Sequence, residues 1–301
     1  MAEHLRQMTA RASAAIRPWV PRRLRRDLPV VPVVRLGGVI GLSSPLRPGL
    51  SIAGVARMLD RAFSVRNAKA VALVINSPGG SAVQSHLIYR RIRQLAEEKK
   101  LPVIAFVEDV AASGGYMLAC AADEIICDAA SIVGSIGVIG ASFGFPEAMR
   151  KLGIERRIYT AGEHKSTLDP FLPENEHDVA RLKAVQLDIH RMFIALVRER
   201  RAERLKGDDD TLFTGEYWVA GTAADLGLVD RMGDIRTVLR ERFGAEVVMV
   251  PVAAERSLFG RRPQGVAALA PDALAAIAQQ GLVEDVLSAL EARALWARFG
   301  L

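Results

Sequence analysis

"PVIAFVEDVAASGGYML", residues 102–118, decides how the chain is read. The part from 102 to 110 is rich in apolar and β-branched residues and of strand length, the mark of a strand buried in a parallel sheet. Small residues follow around one serine, Ser113, and two glycines, Gly114 and Gly115, where the strand turns into a helix. A serine at such a junction caps the helix, acts as a nucleophile that needs free space around it, or does both.

The same pattern recurs on either side. "AVALVIN" (70–76) is a second β-branched run and ends in the turn "SPGGS" (77–81). Between the two runs Ile88, Ile92 and Leu95 fall at helical spacing with arginines on the opposite face, so the segment reads as strand, helix, strand. "VVPVVRLGGVIG" (30–41) reads as a strand pair or, because Pro32 cannot donate to a ladder, an edge strand. "DEIICD" (123–128) and "RRIYTAG" (156–162) continue the alternation. The economical architecture is an α/β domain with a layered, mainly parallel sheet and crossover helices.

Further along, a long amphipathic helix is expected from about Glu174 to Leu205, after Pro173, with Leu182, Val185, Ile189, Met192 and Leu196 on its packing face. "TGEYWVAGTAADLGLVDRMGD" (214–234) predicts a short strand, a helix ended by Gly227, and another strand or turn. Beyond "VVMVPV" (247–252) a linker near 257–270 leads to a helix begun at Pro271 and Asp272, with Val283, Val286, Leu290 and Leu295 as its apolar stripe. The expected organisation is a basic extension (1–29), the main domain (30–252) and a helical C-terminal segment (253–301).

The chain has 301 residues, half of them apolar, enough for a substantial core. Its two cysteines, Cys120 and Cys127, are too few for a disulfide framework or metal site and read as small buried hydrophobes. The net charge of +6 is concentrated at one end: residues 1–29 hold seven arginines against Glu3 and Asp27, and the remainder is nearly neutral. That extension also carries Ile16, Trp19, Val20 and Leu24, so peripheral contact with an anionic membrane stands beside the plainer reading of a solvated arm. No partnership with nucleic acid is read from it. There is no run of 18 apolar residues and no leader with an apolar core and cleavage site. A cytoplasmic location, or a peripheral one on the inner face of the membrane, is expected.

A serine hydroxyl is a weak nucleophile near neutral pH and needs a base. Histidine is the usual one, yet none occurs between residues 114 and 163, and His4, His86, His164, His177 and His190 are scattered. Lys165, in "AGEHKSTLDPF" (161–171), is the next candidate. A lysine amine, ordinarily of pKa about 10.4, acts as a base only when neutral and must first lose water. In "NSPGGS" Gly79 and Gly80 can present backbone N–H groups to a developing oxyanion, and the Gly114 N–H lies beside the serine.

Taken in order, "INSPGGS" (75–81), "VAASGGYMLACAADEII" (110–126), "VGSIGVI" (133–139), "AGEHKSTLDPF" and "GLVDRMGD" (227–234) resemble the serine–lysine signal peptide peptidases, also called protease IV, of the ClpP/crotonase fold superfamily. The resemblance covers about residues 30–250. It implies Ser113 as nucleophile, Lys165 as general base, Gly80 and Gly114 as oxyanion donors, and Ser135 as a hydroxyl that orients the lysine. It implies peptide substrates such as signal-peptide remnants or membrane-protein fragments, and no metal or other cofactor. In this family the serine and lysine of one site come from neighbouring repeats or subunits of a dome-like ring, so a single-domain chain is expected to assemble, with an octamer as the implied form. Typical bacterial members carry an N-terminal membrane anchor where this chain has its Arg-rich segment.

Two other readings compete. An acyl-CoA hydratase or isomerase of the same superfamily uses similar glycine turns but needs a carboxylate base and no nucleophilic serine. A ring-forming scaffold at the membrane surface would keep the residues and lack the turnover.

Overall fold

The computed structural model describes residues 28–42, 49–253 and 286–301. At its centre run three parallel strands, β1 (Val30–Gly37), β2 (Val71–Ser77) and β3 (Val103–Ala112). Every residue of β2 except Asn76 is buried, which is why its sequence is continuously apolar and not alternating. Helix α1 (Ile52–Phe63) crosses from β1 to β2, and α2 (Ala82–Lys99) from β2 to β3. Each starts at a serine whose hydroxyl accepts a backbone N–H of the first turn: Ser51 from Gly54, Ser81 from Gln84.

After β3 come α3 (Gly114–Ala119), β4 (Glu124–Cys127), β5 (Ile132–Gly134), α4 (Pro146–Lys151) and the long α5 (Glu176–Arg201). Then follow α6 (Asp209–Leu212), β6 (Tyr217–Val219), α7 (Ala220–Asp225), β7 (Arg231–Met232), α8 (Ile235–Phe243) and β8 (Val248–Val252). Residues 286–297 form a last helix, α9. The main path of the sheet is β6-β5-β3-β2-β1-β8, and only the β5–β6 pair is antiparallel.

Strand β3 carries two neighbours in succession along one edge. Its residues 104–107 pair with β4, and 110–112 pair with β5. Between them the register with β2 shifts, Ile75 facing Val107 but Ser77 facing Ala111. This irregularity at Glu108 and Asp109 re-aims the end of the strand, a common device beside functional sites. It delivers Ser113 to the mouth of the sheet.

The two faces are unequal. On one, α1, α2, α3 and α5 pack Leu59, Ile88, Ile92, Met117 and Phe193 against Leu73, Ile75 and Val107. On the other, α8 lays Val238 and Leu239 over Val31, Ala72, Ile104 and Ile126. Each such side chain removed from water contributes about 1.5–3 kcal/mol. One buried ion pair fastens the far end of α5: the Arg201 guanidinium, 1% exposed, donates to both carboxylate oxygens of Asp230 (2.8 and 2.9 Å) and to the Gly227 carbonyl. Burial pushes the Asp230 carboxyl up, but the Arg201 fork and the Ile125 N–H outweigh it and hold the group below the usual carboxylate range.

Several expectations change. Strand β1 lies between β2 and β8, not at an edge; its ladder with β2 begins at Val33, so the missing donor of Pro32 breaks no bond there. "RRIYTAG" forms no strand: it pairs with none of the described strands, and Tyr159 within it is 91% exposed. In α9, Val286 and Leu290 of the expected stripe stay exposed, whereas Leu295, and Phe299 in the turn after the helix, are half-buried. The basic extension (all but its last two residues), the linker, Pro271, Asp272 and Val283 lie outside the described residues.

Candidate active site

Two chain reversals meet where β2 and β3 end. In the first, the Ser77 hydroxyl donates to the Gly38 carbonyl (2.7 Å) and accepts the Gly79 N–H (3.2 Å). Ile40 donates to the Gly79 carbonyl and accepts from the Ser81 N–H, both at 2.8 Å. These bonds flank Gly80 in a parallel bridge, so its own N–H is turned away from Ile40. A Cβ on Gly80, whose φ is +139°, would stand 2.1 Å from the Ile40 carbonyl oxygen.

The second reversal holds Ser113 at φ 53°, ψ −121°, a conformation that costs a non-glycine residue roughly 1–3 kcal/mol and clusters at functional sites. Its N–H donates to the Gly134 carbonyl (2.8 Å) and its carbonyl accepts the first helical bond, from Met117 (3.0 Å). The capping role is not taken up: the Ser113 side chain makes no cap hydrogen bond with α3. Gly114 is the first helical residue, so its N–H has no acceptor within the helix. The reversals touch each other, since a Cβ on Gly79 would lie 2.8 Å from the Ser113 Cβ and 2.9 Å from the Gly114 nitrogen. On Gly114 it would lie 2.2 Å from the Ser85 Oγ. Glycine is demanded here by space as well as by backbone angle.

Ser113, Gly80, Gly114 and Ser135 line one cavity of about 860 Å³, with Met117, Ile189 and Phe193 among its apolar walls. Ser135 also has a positive φ (53°), and its N–H donates to the Glu216 carbonyl at 2.6 Å. Four of the five residues expected at the site therefore converge within this one chain.

Lys165 does not. It is exposed on the loop 161–168, tied to α5 by the Leu168 N–H donating to Asp178 (3.3 Å), and is not among the residues lining the Ser113 cavity. Nor, among the described residues, does a histidine line that cavity: His190 spends its Nε2 on the Ile136 carbonyl at 3.0 Å. Both cysteines are buried, and that burial pushes each thiol up to about 12, so neither is a nucleophile at neutral pH. Next to Lys165, His164 stacks on His177 (ring centroids 5.0 Å apart); with Asp178 the pair forms the one group among the described residues whose donor atoms, within 4.8 Å of one another, suit a divalent transition metal.

Other cavity residues escape the sequence. Thr214, Gly215 and Tyr217 arrive from the approach to β6, and Leu295, Arg298 and Phe299 from the C-terminal segment. No spacing in the chain announces that these two regions meet at Ser113.

The profile of peptidase family S49 matches residues 95–245. A putative protease of Methanocaldococcus jannaschii is 33% identical over 67% of this chain and 66% of its own length. The chloroplastic serine protease SPPA of Arabidopsis thaliana is 32% identical over 68% of the chain and 31% of its own. A protein of Brucella abortus (strain 2308) named as a Na(+)/H(+) antiporter is 53% identical over 94% of the chain, which spans only 38% of that protein's length. Among the described residues no helix is long and apolar enough to cross a membrane.

Proposed function

The chain belongs to peptidase family S49, and we propose that it is a serine endopeptidase whose site is completed by a neighbouring subunit. Ser113 attacks the peptide carbonyl. A neutral Lys165 from the adjacent subunit takes its proton and returns it to the leaving amine, and water then hydrolyses the acyl-enzyme. The Gly80 and Gly114 N–H groups hold the oxyanion, and Ser135 orients the lysine amine. Substrates are extended peptides such as signal-peptide remnants and membrane-protein fragments.

The observation that carries this reading is the strained Ser113 backbone, wedged against Gly79 and opening on the cavity that Gly80 and Gly114 share. The neighbour's part is supported by the segment between β5 and α5, where Phe143, Leu152 and Tyr159 are 80%, 72% and 91% exposed. So much uncovered apolar surface beside the proposed base fits a contact with another copy. Enclosed there, Lys165 would lose the water that keeps an amine charged. The Arg-rich residues 1–29 are the proposed contact with anionic lipid.

Cleavage of a fluorogenic peptide panel by the wild type, Ser113→Ala and Lys165→Ala, with solution mass for each, tests the proposal. Turnover by the wild type alone, all three proteins sharing one oligomeric mass, supports the dyad. An intact oligomer that cuts nothing moves the scaffold reading ahead.

A further inference from the structure

The C-terminal segment lies at the cavity that holds Ser113. Leu295, Arg298 and Phe299 line it together with residues of the two glycine turns. One side chain receives the segment: Tyr217 of β6, whose hydroxyl donates to the Arg298 carbonyl at 3.1 Å and whose ring meets Phe299 edge to face, centroids 5.0 Å apart. This hydrogen bond ties residues 286–301 to the body of the molecule. A short rigid path joins it to the nucleophile. Tyr217 follows Glu216, whose carbonyl accepts the Ser135 N–H, and Gly134, next to Ser135, accepts the N–H of Ser113.

The segment bounds the cavity without filling it. About 860 Å³ stays open beside Ser113, room for more than one substrate side chain, and the boundary is made by an aromatic ring and a leucine. Chemistry at the serine requires the residues flanking the scissile bond to lie in this space.

Resting on the peptidase reading, we infer that Phe299, backed by Tyr217 and Leu295, is a specificity-determining residue: it forms the wall that limits the size of the apolar substrate side chain accepted beside Ser113. Uncharged side chains of small or medium size fit against it. Phe299→Ala removes the ring and deepens the pocket. Tyr217→Phe deletes only the hydroxyl that positions the segment.

The test is a peptide series in which one residue near the scissile bond is varied from Ala through Leu to Trp, with kcat/KM measured for wild type, Phe299→Ala, Tyr217→Phe and, as a control, Leu290→Ala, a residue 61% exposed on α9 and outside the cavity lining. In Phe299→Ala the Trp-to-Ala ratio of kcat/KM is expected to rise by roughly tenfold or more, the range a reshaped apolar pocket commands. Tyr217→Phe shifts it the same way by less, and Leu290→Ala keeps the wild-type profile. An unaltered ratio in Phe299→Ala, or an equal loss for every peptide, overturns the inference. Binding of the same series to Ser113→Ala, with and without Phe299→Ala, followed by fluorescence anisotropy, reads the wall without turnover. Failure of the peptidase reading and failure of the wall are thereby told apart.

Discussion

The glycine turns around Ser113 and the segment between β5 and α5 are parts of one proposed site built to opposite standards. Around the serine, Tyr116 and Met117 are essentially inaccessible, and the Tyr116 hydroxyl donates to the Leu228 carbonyl at 2.8 Å. In the second region Phe143, Leu152 and Tyr159 face water. The nucleophile half is finished by local packing within the chain. Among the described residues nothing covers the apolar groups of the segment that carries Lys165, and in the proposed mechanism their burial, with the loss of water at Lys165, falls to another copy.

The most demanding way to break that contrast is to separate the halves. Ser113→Ala and Lys165→Ala should each lower turnover by about 10⁴-fold or more, in the manner of a catalytic unit. Oligomers reassembled from an equal mixture of the two variants should regain about a quarter of wild-type activity, since each half of an intersubunit site is intact in half of the chains. Intact mixed oligomers with no recovery would place the base elsewhere.

Within the rigid half, Arg201→Ala should cost about 3–5 kcal/mol in denaturant unfolding, because it strands Asp230 as an unpaired, partly buried charge. A loss below 1 kcal/mol would show that the pair is not what fastens α5. A smaller effect follows from pH. The folded pKa of Asp230 lies below its unfolded value of about 3.9, so its stabilisation is present above that value and drains away as pH falls through the folded pKa. Asp230→Asn should flatten the acid limb of the stability curve below pH of about 4. A limb as steep as the wild type's would assign it to other carboxylates.

The smallest expected change in stability sharpens the contrast from the other side. Tyr159→Ser should alter unfolding by less than about 0.5 kcal/mol, as exposed positions do, yet shift the mass in solution toward smaller species. An unchanged oligomer would take Tyr159 out of the interface.

How much of this was legible follows the same division. Runs such as 70–76 and 102–110 declare buried parallel strands because both faces of the sheet are covered, and Gly80 and Gly114 declare close approach because nothing larger fits beside Ile40 and Ser85. Strand β1 was misleading because Pro32 signals an edge unless one knows that pairing with β2 starts after it. "RRIYTAG" has strand-like residues but pairs with no strand among the described residues, and local composition does not reveal whether a strand-like segment finds a partner. Helical spacing put Val286 and Leu290 on the packing face of α9, whereas the helix turns inward the side that carries Leu295, an orientation set by Tyr217 at a distance of 81 residues from Arg298.

The buried cysteines give the molecule an internal clock. Cys120 closes the helix that Ser113 opens, and its thiol is inaccessible and held protonated at neutral pH. A maleimide or iodoacetamide can react there only while that helix is lifted from the sheet. The rate at which Cys120 is alkylated in the native protein, read separately from Cys127 by peptide mass, therefore reports how often the floor beneath the nucleophile opens, with no substitution introduced.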